Sequence, residues 1–167
     1  MKYLVVAIVL AFLLFSIVQL FSMSTQKGIE TYPYDVVKEY KNFEVRNYEA
    51  SLFTSIKLTT SKYEQASSKG FSILAGYIFG GNDRQEKIAM TSPVTMSLED
   101  TMTMMFMVPR DIDRDKLPTP DQKAIEFVEV PSKKMAAIRF GGWTSTEKIE
   151  KYKAKLIAAL ELSLIHI

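Results

Sequence analysis

Hydrophobic and polar positions divide the chain into a long apolar run, a short polar tether and a mixed stretch with the periodicities of strands and helices. Tyr3 to Phe21 holds nineteen residues without a charge, broken only by Ser16 and Gln19. A helix rises roughly 1.5 Å per residue, so this run predicts one transmembrane helix across the ~30 Å hydrocarbon core of a bilayer. The apolar region of a cleaved signal peptide is typically ~7–15 residues, and this one is longer. An uncleaved signal anchor over residues 1–23 is therefore expected, with secretion or periplasmic release after cleavage near Ser22-Met23-Ser24 as the alternative. Lys2 ahead of the run favours a cytoplasmic N-terminus and a domain outside the cytoplasm, against a weaker opposing bias from Lys27. Residues 24–33 read as a polar linker.

From Tyr34 the pattern becomes that of strands. Tyr34–Tyr40 and Phe43–Leu58 are rich in Val, Ile, Thr, Tyr and Phe, with Lys41-Asn42 as the turn between them. Phe43 to Tyr48 do not alternate cleanly, which predicts a bulge or burial on both faces. Thr60-Ser61 before Lys62-Tyr63-Glu64 marks a helix start, and the helix should reach Phe79 with Ala66, Gly70, Phe71, Leu74, Tyr77 and Ile78 buried. Gly80-Gly81-Asn82-Asp83 ends it. Strands Lys87–Leu98 and Thr101–Val108, a Pro- and Asp-rich loop from Pro109 to Gln122, strands Ile125–Val130 and Met135–Phe140, and a helix from Ser145 to Leu160 complete the order.

A repeat lies within this order. Shifted by 82 residues, Phe43–Ile78 falls on Ile125–Leu160 without a gap. Only four of the 36 aligned positions are identical. The repeat rests instead on the shared succession of extended stretch, turn, extended stretch, cap and helix.

Composition narrows the chemistry. Outside the apolar run, 20 basic residues face 19 acidic ones, which gives no case for nucleic acid. The chain has no cysteine and one histidine, His166. The codons CTG TCT CTT ATA CAC ATC, the end of a widely used transposon-type sequencing adaptor, would encode the last six residues, Leu162 to Ile167. Residues 162–167 are accordingly expected to be an adaptor-derived tail that replaces the native C-terminus, and His166 is set aside as ligand or base. No Ser–His or Cys–His pair then remains for nucleophilic catalysis, and phosphate-loop, dinucleotide and zinc-ligand patterns are absent from the sequence. No catalytic residue and no metal site is assigned.

Several dispersed motifs resemble the SOUL/haem-binding family. They are Gly76-Tyr77-Ile78-Phe79-Gly80-Gly81-Asn82 followed by Lys87-Ile88-Ala89-Met90-Thr91-Ser92-Pro93-Val94, with Phe43-Glu44-Val45-Arg46-Asn47-Tyr48 and Tyr34-Asp35-Val36-Val37 before them. Met105-Phe106-Met107-Val108-Pro109, Leu117-Pro118-Thr119-Pro120 and Phe140-Gly141-Gly142-Trp143 follow in the same order. The resemblance covers residues 34–161. It implies an α+β fold: a distorted antiparallel β-barrel of two strand-helix-strand-strand repeats with two flanking helices, here with the last strands missing. It further implies binding of haem, another tetrapyrrole or a similar apolar planar ligand in a groove between the first helix and the sheet. On that reading Phe71, Leu74, Tyr77, Ile78 and Met90 line the slot, while Lys62 and Lys69 pair with carboxylates of the ligand. With no usable histidine, only Tyr and Met remain as iron ligands. The alternatives are a haem-independent module for small ligands or protein partners, and a weak hydrolase using one of Glu44, Glu64 or Glu86.

Overall fold

A computed structural model describes residues 29–60, 62–99 and 101–165, together with positions 10, 12, 13 and 15. The chain divides into two units, Met1–Glu30 and Thr31–Ile167. In the first, Leu10, Phe12, Leu13 and Phe15 are helical with exposed side chains. The rest of the expected transmembrane helix lies outside the described residues. Among those described, no helix is long and apolar enough to cross a membrane.

The second unit is α+β, with two helices and two antiparallel sheets. The elements are β1 (Tyr34–Glu39), β2 (Glu44–Tyr48), β3 (Ser51–Leu58), α1 (Tyr63–Ile78), β4 (Thr95–Ser97), β5 (Met102–Met107), β6 (Glu126–Val130), β7 (Lys133–Ala137) and α2 (Thr146–Ile165). One sheet has the order β1-β2-β7 and the other β4-β5-β3-β6. The two do not close into a barrel among the described residues.

The 82-residue shift carries β2 onto β6 residue for residue, and the start of β3 onto that of β7. The register obeys the same relation. Glu44 pairs with Ala137 across β2 and β7, and the shifted counterparts Glu126 and Ser55 pair across β6 and β3. The chain passes from one sheet to the other at Glu49-Ala50 and again at Pro131-Ser132, also 82 residues apart. Glu64 meets its own counterpart, Thr146, whose amide and hydroxyl donate to the two carboxylate oxygens at 3.0 and 3.1 Å. A residue can touch its own equivalent only near the axis relating two copies, so this contact marks a pseudo-two-fold between α1 and α2.

β5 is packed on both faces, as the alternation of its apolar side chains requires. Met104, Phe106 and Val108 join Ile56 and Leu58 under α1. Met107 faces the other way with Phe53 and Tyr32. Helix α1 lies close on this sheet because Gly70 has no side chain: a Cβ there would stand 2.9 Å from Leu58 Cδ1 and 3.1 Å from Met104 Sδ.

Three expectations are corrected. The strand expected over Lys87–Leu98 shrinks to Thr95–Ser97. Pro93 has no N–H to give a ladder, and the preceding backbone is engaged elsewhere: the Ile88 amide donates to the Ile78 carbonyl and Ser92 accepts from Tyr32. The segment Phe43–Leu58 is two strands, broken where it changes sheet. The hydroxyl cap expected at the start of α1 is missing: Lys62 holds the N-cap position, with no side-chain cap bond.

Candidate functional site

The end of α1 is fastened by side chains that the sequence motifs bring together. Asn82 is buried, and its amide nitrogen donates to the carbonyls of Tyr77 (3.1 Å) and Glu86 (2.8 Å). Its oxygen accepts from the amides of Arg84 and Glu86, at 3.2 and 3.1 Å. The buried Tyr77 hydroxyl donates to the Pro118 carbonyl at 2.9 Å, and Asp83 accepts from the Thr119 amide at 2.7 Å. The glycine–asparagine turn and the Leu-Pro-Thr-Pro loop are thus one fastening. Burial, followed by the charges of Asp83 and Glu86, pushes the Tyr77 phenol up to about 12.

Beside α1, on the β4 side, runs an open groove of about 700 Å³ lined by Tyr63, Ser67, Ser68, Phe71, Ser72, Ala75, Val94, Met96 and Met104. It has the size of a ligand cleft, commonly about 300–1,000 Å³. One wall is the small-residue flank of α1. The other is the β4–β5 hairpin, in which Met96 pairs with Met104. Phe71 stands at the mouth, 41% exposed, with its ring 5.4 Å from that of Phe106.

The seven residues singled out from sequence do not all gather here. Phe71 lines the groove. Leu74, Tyr77 and Ile78 are buried in the core beneath α1. Tyr77, Ile78 and Met90 border a separate, nearly filled cavity of about 10 Å³ near the helix C-terminus. Lys69 lies on the neighbouring face of α1, alongside Ser68 and Ser72, which border the groove as well. Lys62 is exposed at the helix start. Sequence reasoning missed Tyr63, Val94, Met96 and Met104, and the run of Ser67, Ser68, Ser72 and Ala75. That run was the available signal, since small residues on one flank of an otherwise well-packed helix leave room.

A tetrapyrrole would need an apolar slot, a donor for iron and cations for its carboxylates. The groove supplies apolar contact from Phe71, Ala75, Val94 and Met104 beside the hydroxyls of Ser67, Ser68 and Ser72. The Tyr63 phenol and the Met96 thioether are donors of known iron-ligand types, and Lys69 is a cation on the adjoining helix face. The residues fit such a group. Two of the three glutamates considered as bases, Glu44 and Glu64, fare differently. The hydrogen bond and charge of Arg46, aided by Arg139, hold the Glu44 carboxyl low. The Thr146 amide does the same for Glu64. A general base working near neutrality needs the opposite shift. Among the described residues no group of three or more His, Cys, Asp or Glu could hold a metal ion.

Fold and groove together define an α+β domain with an open slot between its first helix and a hairpin. A family model described as "SOUL heme-binding protein" matches residues 29–166, and the chain belongs to that family. It is similar to "Heme-binding protein 1" of Xenopus laevis, 26% identical over 126 residues, with 71% of this chain and 66% of that protein covered. It is also similar to "Heme-binding protein 2" of Mus musculus, 28% identical over 125 residues, with 70% and 60% covered. "Heme-binding protein 2" of Homo sapiens is 27% identical over 137 residues, with 77% and 66% covered. The chain thus spans just under two thirds of the length of these relatives.

Proposed function

We propose that this protein binds haem, or a similar planar tetrapyrrole, in the groove between α1 and the β4–β5 hairpin. It acts as a binding protein rather than an enzyme, and it uses no histidine ligand. The observation that carries the reading is the groove itself: a ligand-sized slot beside α1, with Phe71, Val94, Met96 and Met104 as its apolar part, in a chain of the SOUL family. The names of the relatives, each a heme-binding protein, support the same ligand class. Haem would supply redox-active iron there; Phe71 and Val94 would hold its apolar face and Lys69, on the adjoining helix face, would supply positive charge for its carboxylates. The uncharged run from Tyr3 to Phe21 supports a tether that holds the domain at a membrane, outside the cytoplasm.

Titration of the full chain in detergent with hemin tests the reading. A saturable Soret shift at micromolar protein is expected, and Phe71→Glu, which puts a charge at the mouth on an already exposed position, should abolish it while leaving the circular dichroism unchanged. Failure of the wild-type protein to give a saturable shift refutes haem binding. Retention of full affinity by Phe71→Glu refutes the groove.

A further inference from the structure

Two side chains lining the groove, Tyr63 and Met96, carry donor atoms of iron-ligand type. Six methionines lie between positions 90 and 107, and strand register sorts them. Met107 faces away from α1, in the cluster with Tyr32 and Phe53, and Met105 packs against that same cluster. Met90 borders the small cavity at the far end of the helix. Met102 borders a different cleft, between the start of α1 and the start of α2. Met104 does reach the groove, yet it is only 2% exposed, and its sulfur sits 3.1 Å from where a Gly70 Cβ would stand, pinned under the helix backbone. Met96 remains. It lines the groove from β4, it is half-buried, and a short strand at the sheet edge carries it.

Resting on the tetrapyrrole reading above, we infer that Met96 is the axial ligand: its thioether sulfur donates a lone pair to the haem iron from the hairpin side of the groove. A thioether is a soft, neutral donor that raises the reduction potential of haem iron, whereas a phenolate such as that of Tyr63 is anionic. The described residues contain neither histidine nor cysteine, the other common protein ligands to haem iron. Met96 ligation therefore makes this a binder with a preference for ferrous haem, set by a residue on the hairpin rather than on the helix.

The test uses the full chain in detergent, with hemin and with metal-free protoporphyrin IX as separate probes. In the wild type, bound haem is expected to show a thioether-to-iron charge-transfer band in the ferric state and a potential above that of the Met96→Leu variant. Met96→Leu conserves volume and should fold. It should lose the band, lower the potential and weaken ferrous haem binding, while protoporphyrin IX binds as before. Met96→His should install the spectrum of an imidazole-ligated haem, which happens only if position 96 faces the iron. Tyr63→Phe should leave spectrum and potential unchanged. Identical haem spectra and potentials for wild type and Met96→Leu, or loss of the band in Tyr63→Phe, overturn the assignment even where both probes bind. If neither hemin nor protoporphyrin IX saturates the wild type, the tetrapyrrole reading falls, and this inference with it.

Discussion

Replacement of Asn82 by Ala should cost more stability than any surface change in this domain. Four hydrogen bonds end on the Asn82 side chain, two donated and two accepted. A protein hydrogen bond contributes roughly 0.5–1.5 kcal/mol net, more where its partner is left buried and unpaired. The bond to the Tyr77 carbonyl is buried and belongs at the upper end of that range. The three to residues 84 and 86 are part-buried, so water recovers some of their worth. The total is about 2–4 kcal/mol, a fall in Tm on the order of 10 °C for a domain of this size. Urea denaturation measures it, with an unchanged m-value expected. Amide exchange at Arg84 and Glu86 should accelerate as well, since both lose their acceptor. Asn82→Asp keeps the acceptor oxygen but turns a carboxylate toward two carbonyls, so it should be no more stable than the Ala variant. A loss under about 1 kcal/mol for Ala, or wild-type stability for Asp, would refute the fastening of α1 described above.

Three other tests address the rest of the fold. Tyr77→Phe removes the bond to Pro118 and should cost about 1–2 kcal/mol in urea unfolding. The folded phenol is raised from an ordinary 10.0 to about 12, so the protonated form is favoured by folding: its stabilisation is complete below about pH 10 and lost as pH rises toward 12. The wild type should lose stability faster than Tyr77→Phe across that window, and parallel curves would count against the burial. The Glu64 carboxyl is lowered by the Thr146 amide, so its contribution holds above the ordinary value of 4.5 and disappears as pH falls through its lower folded value. Glu64→Gln should speed exchange of the Thr146 amide at neutral pH, and an unchanged rate removes Glu64 from the capping of α2. Finally, among the described residues β7 is an edge strand whose exposed Lys133 and Lys134 are of the kind that discourages strand addition. The double Lys→Thr variant should associate with rising concentration on size-exclusion, unlike its parent, and equal elution volumes would show that the lysines do not guard that edge.

Much of the architecture was legible because it is local or repeated. Helix α1 ends one residue short of the expected Phe79, and Ala66, Gly70 and Leu74, four residues apart, face the sheet as their spacing demands. The repeat was legible through its order of elements rather than its identities, and the register at Glu44–Ala137 and Ser55–Glu126 follows it. What did not read correctly was non-local. Residues 87–92 carry a strand-like composition, yet their backbone groups and the Thr91 hydroxyl, which donates to the Met107 carbonyl at 2.7 Å, are engaged by distant partners. The site suffered in the same way. Apolar residues on a helix can face a core or a slot, and periodicity alone does not say which. Leu74, Tyr77 and Ile78 face the core, and only the position of the hairpin reveals that the slot lies on the flank carrying Ser67, Ser68 and Ser72.

The repeat also explains why the groove belongs to α1. Carried 82 residues along, two core positions keep their identity: Ile56 falls on Ile138 and Leu74 on Leu156. The groove positions do not. Ser67, Ser68 and Ala75 become Ile149, Glu150 and Ile157, while Phe71 becomes Lys153. The opposite wall differs too, since Val94, Met96 and Met104 come from the segment around a hairpin that pairs with β3, whereas β7, the counterpart of β3, pairs only with β2 among the described residues. A helix packed on a sheet needs large apolar residues on one face only, so small side chains on an adjoining flank add nothing to packing. Ser67, Ser68 and Ala75 are small in one copy and larger in the other, whereas Ser72 falls on Ala154 and stays small. The binding surface proposed above is the flank of α1 from Tyr63 to Ala75 with Met96 opposite it.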